Sequence, residues 1–131
     1  KVTCVDSSVY LAGLAREKFS LKVYNSIDEL PKQKFDLIFM QSVLEHLPKP
    51  FVLLKKLKKF MNKNSILVVE VPNFNGIFRL IQGKRYYLLS PQEHLFHFSR
   101  KSISMVLSDA GFKVKSVSFP TPYDFGIVKS N

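Results

Sequence analysis

Glu45 and His46 place a carboxylate beside an imidazole within FDLIFMQSVLEHLPKP, residues 35–50. An imidazole with an ordinary pKa near 6.5 can take the proton from an attacking hydroxyl at neutral pH. The same pair admits a structural role, with Glu45 capping or salt-bridging locally and His46 packing under Pro48. Two further imidazoles, His94 and His97, lie in EHLFHFS, residues 93–99. His94 follows a loop-like stretch, 91–93, and is the better proton acceptor. His97 is expected to pack, with Phe96 and Phe98 turned to the core. Asp6 closes VTCVD, where two carboxylate oxygens match a vicinal diol such as that of ribose. Its alternative is to cap the helix that follows. The catalytic candidates are therefore His46, His94 and Glu45.

These residues need elements to position them. In residues 35–40, Phe35, Leu37 and Phe39 project to one face and Ile38 and Met40 to the other. A strand apolar on both sides belongs centrally in a parallel sheet, and ligands bind beyond the carboxyl ends of such strands. Gln41 and Ser42 occupy that end. Upstream, residues 2–6 read as a short strand, 8–19 as a helix carrying Val9, Ala12, Leu14, Ala15 and Phe19, and 21–24 as a second strand. Pro50 opens a helix with a stripe of Leu53, Leu54, Leu57, Phe60 and Met61, which residues 62–64 end. Residues 66–71 form another apolar strand, stopped at Pro72. Residues 73–89 read as a partly helical excursion within a longer excursion or lid segment, 73–98, in which Tyr86 and Tyr87 would line a pocket or simply pack. Ser99 then caps a helix bearing Ile103, Val106, Leu107 and Ala110, with Gly111 at its end. Residues 113–119 alternate as a last strand, and the pairing of 120–131 stays open. The alternation predicts a three-layer α/β fold, a doubly wound, mostly parallel sheet with helices on both faces, in one domain over 1–131.

Composition narrows the class. With 131 residues, 46% of them hydrophobic, the chain suffices for one core. The formal charge of +10 could attract nucleic acid, an anionic membrane surface or an acidic substrate. The lysines, however, are spread along exposed faces and are not interleaved with aromatics in one run, so the sequence does not point to nucleic acid. Cys4 is the sole cysteine, which rules out an internal disulfide or a cysteine-built zinc site and fits a reducing cytoplasm. No apolar run approaches the roughly 20 residues of a membrane span, so a soluble chain is expected. No metal centre is expected, and the oligomeric state is not legible.

VTCVD, FDLIFMQSVLEHLPKP, ILVVEVPN and HLFHFSRKSISMVLSDAGFKV together resemble the class I S-adenosylmethionine-dependent methyltransferases. The branch they are most similar to contains the ubiquinone-pathway O-methyltransferases and many small-molecule methyltransferases. The resemblance runs to about Phe119. It implies S-adenosylmethionine as cofactor and a small-molecule or lipid-like acceptor. It also implies that Asp6, with Ser7 beside it, binds the ribose, that Ser26 and Ile27 contact adenine, and that Gln41 and Ser42 border the methionine portion. In relatives the Glu45–His46 pair lies at the active centre. The sulfonium is already activated, so alignment can supply most of the rate and no triad is required.

The sequence departs from that pattern in one respect. The family's glycine-rich turn follows its first strand, yet the five glycines here, Gly13, Gly76, Gly83, Gly111 and Gly126, form no cluster. The strand at 2–6 matches the family's second. The expectation is a fragment that lacks the central first strand and binds the cofactor poorly, and whose closing hairpin shows only its first strand convincingly. Two alternatives remain at this point: a nicotinamide dinucleotide oxidoreductase, whose ribose Asp6 would serve equally, and a non-catalytic basic binding module on the same fold.

Overall fold

The chain opens with a β-α-β unit. In the computed structural model, β1 (Thr3–Val5) pairs in parallel with β2 (Lys22–Tyr24), Cys4 standing opposite Val23. The connection is α1 (Val9–Phe19), whose N-cap Ser8 accepts a hydrogen bond from the Leu11 amide. Ser20 ends the helix in the left-handed region, φ 51°, and the Leu21 amide reaches back to the Ala15 carbonyl. Arg16 fixes β2 against the helix by donating Nε and Nη2 to the Val23 carbonyl at 3.0 and 2.8 Å. Ala12 and Val23 are the buried residues of this unit, which spans Lys1–Gln33.

The second unit, Lys34–Asn131, contains β3 (Phe35–Gln41), α2 (Pro50–Leu57), β4 (Met61–Pro72), α3 (Arg100–Asp109), β5 (Val114–Ser118) and β6 (Phe125–Ser130). The structure describes residues 1–76, 81–83, 94–118 and 125–130. The strands of the second unit lie in the order β3-β4-β6-β5. β3 and β4 are parallel, while β6 runs antiparallel to both β4 and β5. Leu67, Val69 and Val71 alternate along β4 into the core, joined there by Leu54 and Leu57 of α2, Ile103 and Leu107 of α3, Phe112, and Val128 of β6. Pro50 suits the first turn of α2 because the amide it lacks would have no helical partner. Ser99 and Ser102 form a reciprocal capping box at the start of α3. At its other end Gly111 adopts φ +84°, and Lys58 Nζ donates to its carbonyl, tying the turn after α2 to the end of α3.

This is the expected α/β arrangement, with four local corrections. First, β3 has one hydrogen-bonded neighbour among the described strands, so it is an edge strand there, not a central one. Leu37 and Phe39 are 59% and 54% exposed, whereas Met40 on the opposite face is buried. Second, the stripe of α2 does not continue through Met61. The helix ends at Leu57, a 3-10 turn covers Lys58–Phe60, and Met61 starts β4. The cause is Ser65, whose Oγ accepts from the Asn62 amide and donates to the Phe35 carbonyl, each at 2.7 Å. These bonds draw residues 61–65 onto β3, where Met61 pairs with Phe35. Third, the tail supplies β6, completing the closing hairpin and burying Val128 and Ser130. Fourth, Ser8 caps α1, and Asp6 instead accepts from the Ser8 amide at 2.8 Å. Within the excursion at 73–98, residues 77–80 and 84–93, Tyr86 and Tyr87 among them, lie outside the described residues.

Candidate active site

At the carboxyl end of β3, Ser42 extends the ladder by one bond, its amide donating to the Glu70 carbonyl at 3.0 Å. It does so at φ +49°, a conformation that costs a non-glycine residue of the order of 1 kcal/mol and turns the chain out of the sheet. Gln41 Nε2 meets Glu70 Oε1 at 3.2 Å across the two parallel strand ends. A 3-10 turn, Leu44–His46, follows. Leu44 is fully buried and anchors the turn, which fixes the directions of the next two side chains. Glu45 points inward with 1% of its side chain exposed, and His46 points outward with 41%. Packing therefore inverts the structural alternative for this pair: the carboxylate, not the imidazole, is buried.

Both carboxylate oxygens of Glu45 are buried and have no hydrogen-bond partner among the described residues. Burial pushes the pKa of Glu45 above the ordinary carboxylate value, and the like charge of Glu70 acts in the same direction. Its own backbone amide and the imidazoles of His46 and His94 oppose that rise without cancelling it.

The segment from His94 to Ser99 is stitched to this turn. Its far end bridges Phe98 to Asn73, with the Phe74 amide donating to the Phe98 carbonyl at 2.8 Å. Its near end donates the Leu95 and Phe96 amides to the Glu45 carbonyl at 2.8 and 3.1 Å. The result places His94 edge-on to His46, ring centroids 4.9 Å apart at 61°. His46 Nε2 lies 3.9 Å from Glu45 Oε1. His97 stacks on Phe74 at 5.2 Å and keeps 6.2 Å from His94. It is exposed, and so is Phe96, so only Phe98 of the two flanking phenylalanines turns to the core as expected.

The three catalytic candidates thus come together in the second unit. The cofactor candidates divide between the units. Asp6 is half-buried, with its backbone held by Tyr24 and Asn25; Ser7 is exposed. Ser26 caps the 3-10 turn Ile27–Glu29, accepting from the Asp28 amide. Asp6 and Ser26 therefore each accept a local hydrogen bond, Ser26 as the cap of its turn and Asp6 without capping α1. Glu70 is a functional candidate that the sequence reading missed. Its signal was the one charged position in ILVVEV, at a carboxyl strand end. A concavity lined by Asn73, Asn75, Ser99, Arg100, Lys101 and Ser104 is open to solvent and contains none of the candidates.

Comparison with known proteins identifies the family. The model of the methyltransferase domain matches residues 1–117. No curated protein matches. Among solved structures, a SAM-dependent methyltransferase from Aquifex aeolicus is 24% identical, with 99% of this chain and 68% of that one covered and a TM-score of 0.77. A SAM-dependent methyltransferase from Thermotoga maritima is 18% identical over 98% and 72% of the two chains, TM-score 0.76. A 1,6-didemethyltoxoflavin-N1-methyltransferase from Burkholderia thailandensis, solved with that substrate and S-adenosylhomocysteine, is 16% identical over 98% and 60%, TM-score 0.70. With nearly its whole length covered by the domain model and its elements superposing on these enzymes, the chain belongs to the class I S-adenosylmethionine-dependent methyltransferases.

Proposed function

We propose that this domain transfers the methyl group of S-adenosylmethionine to a hydroxyl on a small molecule. The observation that carries the reading is the convergence of Glu45, His46 and His94 just beyond the carboxyl ends of parallel β3 and β4. Methyl transfer needs the acceptor oxygen aligned with the methyl carbon and the sulfur, and relieved of its proton as the bond forms. An imidazole of His46 or His94 can accept that proton. The buried Glu45 carboxylate, beside both rings, would favour the imidazolium once formed. A small-molecule acceptor is in keeping with the Burkholderia relative, which was solved with its own small substrate.

For the cofactor, Asp6 and Ser7 would take the ribose hydroxyls, Ser26 and Ile27 the adenine, and Gln41 and Ser42 the methionine portion. Two readings from outside catalysis, a cytoplasmic location and the absence of a nucleic-acid partner, accompany this proposal. Among the described residues no helix is long and apolar enough to cross a membrane.

Saturation-transfer NMR with S-adenosylmethionine tests the cofactor assignment because it registers even millimolar binding. The expected result is transfer to the adenine and ribose protons, lost in Asp6→Ala. No transfer in the unaltered chain would overturn the proposal.

A further inference from the structure

We propose that Glu45, His46 and His94 hold a divalent transition-metal ion. Each offers one donor atom, a carboxylate oxygen and two imidazole nitrogens, and these atoms all lie within 4.8 Å of one another. Ligands about 2.0–2.2 Å from a common ion sit roughly 3–4 Å apart, so the widest donor separation must contract by roughly 1–2 Å. His46 can supply that movement, because its ring is partly in solvent. The other two ligands are held more firmly. Glu45 is buried, and its carbonyl receives the amides of Leu95 and Phe96, which keeps the His94 segment against the turn that carries Glu45.

Independent support comes from the Glu45 oxygens. A buried carboxylate with no hydrogen-bond partner is costly, and native proteins relieve such groups with a counter-charge or a metal. The carboxylate is aimed at the two imidazoles, where a cation between the three groups would provide that relief. Two nitrogens and one oxygen suit Zn²⁺, Fe²⁺, Mn²⁺ or Co²⁺, whereas Mg²⁺ and Ca²⁺ prefer all-oxygen sites. Three protein ligands with an exposed side leave positions open, the arrangement of a catalytic site and not of a closed structural one.

What the ion would do rests on the methyl-transfer reading. An acceptor hydroxyl bound at an open position would lose its proton to solvent more readily, as metal-bound water does. Its oxygen lone pair would then form the bond to the methyl carbon while the carbon–sulfur bond breaks. That electron pair goes to sulfur, giving neutral S-adenosylhomocysteine. His46 and His94 would in this state be ligands, and proton loss would no longer need a free imidazole.

Binding is tested without cofactor or acceptor, so its failure is distinct from failure of methyl transfer. The 131-residue chain, stripped with a chelator, is titrated calorimetrically with Zn²⁺ and, separately, Mn²⁺, and with Co²⁺ followed by visible absorption. Saturable binding of one ion per chain is expected, with Co²⁺ bands that zinc abolishes. Glu45→Gln, which keeps the side-chain shape, and His94→Ala should each weaken binding by about tenfold or more, since even outer-shell losses cost about 10–100-fold at metal sites. His97→Ala should leave affinity within about twofold. Circular dichroism of the metal-free variants checks that they fold, and if His94→Ala does not, Glu45→Gln and the unaltered chain decide. No saturable binding, or binding indifferent to Glu45→Gln, overturns the proposal.

Discussion

Leu95 donates its backbone amide to the carbonyl of Glu45 at 2.8 Å, and this bond joins the two segments that carry the imidazole pair. The Phe96 amide shares the same acceptor at 3.1 Å. Leu95→Pro removes the donor while sacrificing little apolar burial, because the side chain is 53% exposed. The expected cost is about 1 kcal/mol in urea denaturation. Nuclear Overhauser contacts between the His46 and His94 rings should weaken in parallel. Unchanged contacts would show that the bond does not position His94.

The buried carboxylate of Glu45 makes stability depend on pH. Its folded pKa is raised above the unfolded value, so its stabilising contribution is complete below the ordinary glutamate pKa and is lost as pH rises through the raised one. In the chelator-treated chain, Glu45→Gln should therefore be more stable than the parent near pH 7, and the difference should shrink as pH falls toward about 4.3. Parallel denaturation midpoints across that range would contradict the assignment.

Val128 tests whether β6 is an integral strand. It is fully buried and stands opposite Val69 of β4 and Val117 of β5. Val128→Ala should cost about 2–3 kcal/mol by chemical denaturation. Lys129→Ala, one residue on and exposed, should fall within about 0.5 kcal/mol of the parent.

Calorimetry should give an affinity for S-adenosylmethionine weaker than micromolar. The sequence has no glycine cluster to let backbone approach the cofactor closely, and among the described strands β3, at whose end Gln41 and Ser42 stand, is paired along one edge. Micromolar binding would show that neither feature limits this chain.

Most of this was legible in the sequence where local chemistry and long-range packing agree. Ser99 and Gly111 marked the ends of α3 because caps act within one turn. The apolar runs marked β3 and the core of β4. What escaped depended on partners distant in sequence. The strand character of residues 62–64 comes from Ser65 bonding to Phe35, and no propensity of two asparagines and a lysine announces it. β6 is a short run whose apolar signal is Phe125, Ile127 and Val128, and its strand state depends on lying between β4 and β5. At the site, the chemistry of Glu45, His46 and His94 was recognisable residue by residue. Their convergence was not, since it depends on the Glu45 carbonyl bonding to residues 95 and 96.

The order β3-β4-β6-β5 has a kinetic consequence. Among the described strands β5, synthesised before β6, pairs with β6 alone, so that pairing must wait until β6 emerges. β3 and β4 can zip together much earlier. Folding should therefore be sequential, with the parallel pair and α2 as an early nucleus and the C-terminal hairpin closing last across the β4 edge. During that interval the β4 edge later covered by β6, with Val69 and Val71 beside it, is open to intermolecular pairing, which makes translation speed through residues 114–130 a determinant of yield.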